Sequence, residues 1–143
     1  MNFLIDTDVA IHWRDGDPEV RERVIALGEL PAISVITRVE LENGVYQHPA
    51  LMEKRRRLVD DMFARLPIFD FTNDMAAIYA GILASAGASK RKTSDRMIAA
   101  TAISNGLTLI TMNRTDFNNV PRLTLEVWPS PAPSSHPPSA APR

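Results

Sequence analysis

Cysteine is absent from all 143 residues. That absence excludes disulfides, zinc–thiolate centres and cysteine nucleophiles together. A dominant charge is missing too. Sixteen basic and seventeen acidic side chains leave a net charge of −1, without the global basicity common in nucleic-acid-binding domains. No run approaches the ~20 apolar residues that a bilayer span needs. MNFLID at the start enters a strand directly, with no charged n-region and apolar h-region before it, so a cytoplasmic protein is expected. What remains is an ordinary globular mixture, 45% apolar and 23% charged, of a length that suits one domain with a sizeable core.

Short strand-like runs alternate with longer helical ones, which predicts an α/β fold around a largely parallel sheet. Strands are expected at 3–6 (FLID), 32–35 (AISV), 67–71 (PIFDF), 107–111 (LTLIT) and, at an edge, 125–128 (LEVW). Helices are expected from Val9, over 18–27, from Thr37 to Tyr46, from Pro49 to Leu66, from Thr72 or Asn73 to Gly87, and over 95–105. The 18–27 segment carries its own punctuation. Asp17 suits the N-cap, Pro18 the first helical position and Gly28 the stop, while Val20, Val24 and Leu27 share one face. MIAATAI in the last helix is apolar nearly all round, as in a helix pressed onto a sheet. From Pro129 the composition changes: the last fifteen residues hold six of the eleven prolines, with Ser, Ala and almost no large apolar side chains. A folded domain over 1–128 and a disordered tail over 129–143 are therefore predicted.

Four carboxylates stand just past predicted junctions: Asp6 after FLI, Glu40 after AISV, Asp95 opening a helix and Asp116 after LTLIT. Strand ends at one edge of a parallel sheet can bring such residues together. Crowded carboxylates do not all stay ionised unless a cation neutralises them, so the pattern points to a divalent-metal site. Each acid also has a local explanation. Asp8 caps a helix from Val9 as readily as it joins the site. Thr37-x-x-Glu40 matches a capping box. Asp95 suits the positive end of its helix, with Thr93 or Ser94 as cap, and Asp116 suits a turn in MNRTDFNN. Glu42 reads as a solvated surface residue. His12, His48 and His136 are scattered over a helix, a loop and the tail, with none placed as a general base.

FLIDTDVAI, SVITRVELENGV, SDRMIAATAISNGLTLIT and TMNRTDF, in this order and spacing, resemble the PIN-domain ribonucleases, specifically the VapC-like toxins of bacterial toxin–antitoxin pairs. The resemblance covers residues 2–128. It implies a three-layer PIN-like fold with a central, mainly parallel sheet flanked by helices. It maps the acidic site onto Asp6, Glu40, Asp95 and Asp116, with Thr111 and Asn113 at the polar positions beside the last acid. It implies metal-assisted hydrolysis of RNA that leaves a 5′-phosphate and a 3′-hydroxyl. Oxygen-only ligands suit Mg2+ or Mn2+, with Asp6 and Asp95 as principal ligands and Glu40 and Asp116 completing the shell.

Two basic runs are present, Lys54-Arg55-Arg56-Arg57 and Lys90-Arg91-Lys92 with Arg96. Charge runs are usually solvated faces, but the second precedes Asp95, where it is placed to bind RNA phosphates. The resemblance also implies a homodimer neutralised by a small VapB-like antitoxin, with the helices at 18–27 and 37–66 as candidate surfaces. Two other readings stay open. LIDTDV matches the aspartate-x-aspartate strand end of haloacid-dehalogenase-type phosphatases, with Asp6 as nucleophile and Asp8 as acid. The other is a non-catalytic PIN-like domain that only binds RNA or protein.

Overall fold

Apolar residues at adjacent positions, pointing to opposite faces, organise the centre of the molecule. In the computed structural model, which describes residues 1–131, β1 (Phe3–Ile5) pairs in parallel with β4 (Thr108–Thr111). The register sets Leu4 against Leu109 and Ile5 against Ile110. Successive strand residues face opposite ways. Leu4 and Leu109 therefore enter one core, and Ile5 and Ile110 enter another on the far side of the sheet. β5 (Thr124–Val127) adds beside β4. β2 (Ile33–Ser34) pairs with β3 (Ile68–Phe69), and a parallel bridge from Leu4 to Ala32 joins the two sets. The result is an all-parallel order β3-β2-β1-β4-β5, with β5 at an edge as expected.

Helices cover both faces, which is why FLI and LTLI read as continuous apolar runs rather than alternating ones. On one face, α1 (Thr7–Arg14), α2 (Pro18–Ala26), α3 (Val35–Tyr46) and α4 (Met52–Arg65) contribute Val9, Val20, Val24, Leu41, Val45, Val59 and Met62. On the other, α5 (Asn73–Ala86) and α6 (Thr93–Ser104) contribute Met75, Ile82, Ile98, Ala99 and Ala102. This is the predicted three-layer arrangement.

Several boundaries follow the sequence signals. Asp17 Oδ1 accepts from the N–H groups of Glu19 and Val20, Pro18 opens α2, and Gly28 leaves it at φ +76°. Four helix starts differ from expectation, and at α4 the difference is a 3-10 turn (Pro49–Leu51) in place of the expected first residues. α1 begins at Thr7 with Asp6 as its N-cap, so Asp8 lies in the first turn. α3 begins directly after the two-residue β2, where Ser34 Oγ accepts from Ile36 N at 3.0 Å. The Thr37–Glu40 capping box therefore does not form, because Thr37 is already inside the helix. α6 begins at Thr93 without a side-chain cap, since a 3-10 turn (Lys90–Lys92) runs straight into it. Beyond residue 131, the tail and His136 lie outside the described residues. Among those residues, no helix is long and apolar enough to cross a membrane.

Candidate active site

The carboxyl ends of β1 and β4 meet at Asp6. Its backbone N–H donates to Ile110 O at 2.8 Å, and its side chain is 0% exposed. Burial of a carboxylate demands partners for both oxygens. Oδ1 accepts from Thr7 N and Oδ2 from the Thr111 hydroxyl, each at 2.8 Å. Thr111 has one proton to give and gives it to Asp6, while its oxygen accepts from Asn113 N at 3.1 Å. Asp8 arrives at the same hydroxyl from α1. Its Oδ2 lies 3.5 Å from Thr111 Oγ1 and accepts from Met112 N at 3.2 Å, and its Oδ1 accepts from Val9 N at 2.7 Å. The residue that sequence divided between cap and site thus sits beside Asp6 at the end of β4.

Glu40 reaches this corner from α3. Its Oε1 accepts from the Thr7 hydroxyl at 2.5 Å, and Thr37 Oγ1 lies 3.0 Å from Thr7 Oγ1. Thr7 has only one hydroxyl proton, so Thr37 donates to Thr7 as Thr7 donates to Glu40. Both threonines are fully buried. Neither was among the predicted site residues. The available signals were slight: a hydroxyl next to Asp6, and one three residues before Glu40 that looked like a cap.

Asp95 lies half-buried in the first turn of α6, and that helix packs against α3, β4 and the 3-10 turn Arg114–Phe117. The same turn carries the half-buried Asp116, whose N–H donates to Asn113 O. Asn113 is exposed, and its Oδ1 accepts from the Thr115 hydroxyl at 2.7 Å. It braces Thr111 through its backbone and shapes the turn of Asp116 through its side chain.

Lys90 and Arg91 are exposed and Lys92 is half-buried. Arg96 departs from its expected place beside them: it is 4% exposed, and its Nη1 donates to Gly87 O at 2.6 Å. Burial separates it from the exposed charges of Lys90 and Arg91. Glu42 is likewise not merely solvated, because it pairs with Arg56 at 2.5 Å.

Among the described residues, no three Asp, Glu or His side chains form a group that can hold a metal ion as they stand. The donor chemistry does fit a hard cation. Asp6 and Asp8 approach one hydroxyl, Glu40 is tied in through Thr7, and these acids offer oxygen alone.

Residues 3–123 match the PIN domain over most of the chain. The chain belongs to the PIN-domain family. That membership overturns the haloacid-dehalogenase alternative, whose likeness ended with LIDTDV. The chain is similar to the tRNA(fMet)-specific endonuclease VapC of Salmonella typhimurium, at 32% identity over 90% of this chain and 98% of the relative. It is also similar to Ribonuclease VapC2 of Rickettsia felis, at 29% identity and the same coverage. Among solved structures, the PIN domain superposes on a chain of Rickettsia felis VapBC2 bound to a promoter DNA fragment. The TM-score is 0.77 at 27% identity, over 90% of this chain and 99% of that one. DNA-bound VapBC of Salmonella typhimurium gives 0.75 at 31% identity, over 90% and 98%.

Proposed function

We propose that this PIN domain is a divalent-metal-dependent endoribonuclease, the toxin of a toxin–antitoxin pair. One observation carries the reading: the buried Asp6 on the Thr111 hydroxyl, with Asp8 and Glu40 drawn to the same corner. Near end-to-end likeness to proteins named as VapC ribonucleases supports it.

Asp6 and Asp95, with Glu40, Asp116 and Asp8, are the residues that would hold Mg2+ or Mn2+. Such an ion, when bound, supplies Lewis acidity toward a phosphodiester and offsets the carboxylate charge. The chain's own part is preorganisation. Thr111 holds Asp6 and the Thr37–Thr7 pair holds Glu40, so neither acid needs to reorganise as substrate arrives. Lys90, Arg91 and Lys92 meet RNA phosphates. In the reaction, a water oxygen bonds to phosphorus and the P–O3′ bond breaks. A proton passes to the departing 3′ oxygen, leaving a 5′-phosphate and a 3′-hydroxyl.

A VapB-like antitoxin is the proposed partner, in line with the VapBC complexes among the structural relatives. A second copy of the chain is proposed as well. Exposed apolar side chains on the candidate helices support both contacts. Ile25 and Leu30 flank a hollow of about 580 Å³ between α2 and α4, and Val39, Tyr46 and Met52 stand out around α3 and the start of α4.

The test is cleavage of RNA by the purified protein with Mg2+ or Mn2+. Transfer RNA is the first substrate to try, given the named specificity of one relative. Asp6→Ala and Asp95→Ala are each expected to lose cleavage by on the order of 10³-fold, and a chelator is expected to stop the parent. Equal cleavage by parent and variants, or cleavage indifferent to chelator, would sink the proposal.

A further inference from the structure

We propose that Arg96 is a positioning residue: from inside the protein it fixes loop 87–92, and through it the grip of Lys90, Arg91 and Lys92 on RNA beside Asp95. The inference rests on the endoribonuclease reading and adds how the substrate strand is held.

Arg96 follows Asp95 in sequence, yet its guanidinium is buried. Nη1 donates to Gly87 O, while the buried Nε has no hydrogen-bond partner among the described residues. As a device for stabilising a fold this is poor, since an apolar side chain would avoid both the desolvation of the charge and the unmatched N–H. Its geometry suits a tether better. Gly87 is where α5 ends, with its N–H on Leu83 O and φ at +87°, so the chain leaves the helix in a conformation that only glycine adopts readily. Arg96 holds the loop at that first residue.

The other end of the loop is held by the same helix. The Thr93 hydroxyl donates to Lys90 O at 2.8 Å. Thr93 and Arg96 lie on either side of Asp95 in the opening turn of α6, so one short stretch of helix presents the acid and anchors both ends of the basic loop. At the second anchor and just after it, Lys90, Arg91 and Lys92 carry no ion pair among the described residues. Their charge is free to meet phosphates at a set distance from the acids. Without Arg96 the charges remain but their position does not, and the loop must be ordered at the moment of binding. The loss then falls on substrate grip and not on the chemical step.

The experiment uses the full chain with Mg2+ and bulk transfer RNA. Arg96→Met, which keeps the packed stem, is expected to raise KM about tenfold and leave kcat within about twofold. Arg96→Lys should recover most of that. The Lys90→Ala/Arg91→Ala/Lys92→Ala triple should raise KM as well, and adding Arg96→Met to it should cost less than about twofold more, because both changes act through one loop. Amide hydrogen exchange over 88–92 should quicken at least about tenfold in Arg96→Met, with the interior of α6 unchanged. An unchanged KM, a fall in kcat at constant KM, fully multiplicative effects with the triple, or unaltered exchange would each overturn the proposal. If Arg96→Met does not fold, Arg96→Lys carries the same readouts at smaller amplitude. A parent that cuts no RNA counts against the endoribonuclease reading instead, and the exchange comparison still decides whether Arg96 fixes the loop.

Discussion

Lys54-Arg55-Arg56-Arg57 lies on α4, whereas Lys90-Arg91-Lys92 lies on a 3-10 turn between α5 and α6. On α4 each residue is rotated about 100° from the last, so four consecutive cations cannot share a face. Arg55 turns inward and donates to Gly44 O at 2.8 Å. Burial, and next the neighbouring Arg14, pull its pKa below the usual value, while Asp15 opposes them. Arg56 donates to Glu42 and Asp60 and also to the Tyr46 hydroxyl oxygen, and these hydrogen bonds raise its pKa above the usual value. Arg57 pairs with Glu53 at 3.6 Å in the open. In the first run Arg56 and Arg57 are thus paired by acids and Arg55 is buried on a carbonyl, while Lys90, Arg91 and Lys92 carry no ion pair among the described residues. Similar composition therefore meets different surroundings, and acids within reach make the difference.

The comparison can be broken most sharply at the second run. Lys90→Ala/Arg91→Ala/Lys92→Ala should weaken RNA binding about a hundredfold and lower the slope of log K against log salt by about 2, with Tm unchanged. Unchanged salt dependence would place the RNA elsewhere. Arg55→Met should do the reverse. It leaves Gly44 O unpaired and should cost about 2 kcal/mol of stability, read by urea unfolding, with RNA affinity unchanged. The smallest effect belongs to Arg57→Ala. Its exposed pair should contribute less than about 0.5 kcal/mol and alter RNA binding less than twofold, and a larger binding loss would show that the first run also reaches substrate.

Much of the scaffold was legible. FLI and LTLIT announced strands because both faces of the sheet are covered, and Asp17-Pro18 with Gly28 announced α2 through local backbone chemistry. Glu40 was legible as an acid near a strand end, but its partner was not. Ser/Thr-x-x-Glu reads alike whether the hydroxyl serves its own helix or reaches across to another, and here Thr37 meets Thr7 of α1. Asp8 was open for the same reason, since its contact with Met112 N depends on where β4 ends. Arg96 was misplaced because adjacency to Asp95 in sequence is a rotation away from adjacency in space.

The sequence by itself determined the order of strands and helices, the parallel α/β class and which acids follow strand ends. These depend on propensities and patterns acting over a few residues. Only tertiary structure decided which acids share a hydroxyl and which cations remain uncompensated. Thr7 and Thr37 are 30 residues apart, and Asp6 and Thr111 are 105 apart. Bonds of that span exist only once β1 lies beside β4 and α1 packs on α3. The corner that draws Asp6, Asp8 and Glu40 together is therefore a property of the packed sheet edge and not of any one segment.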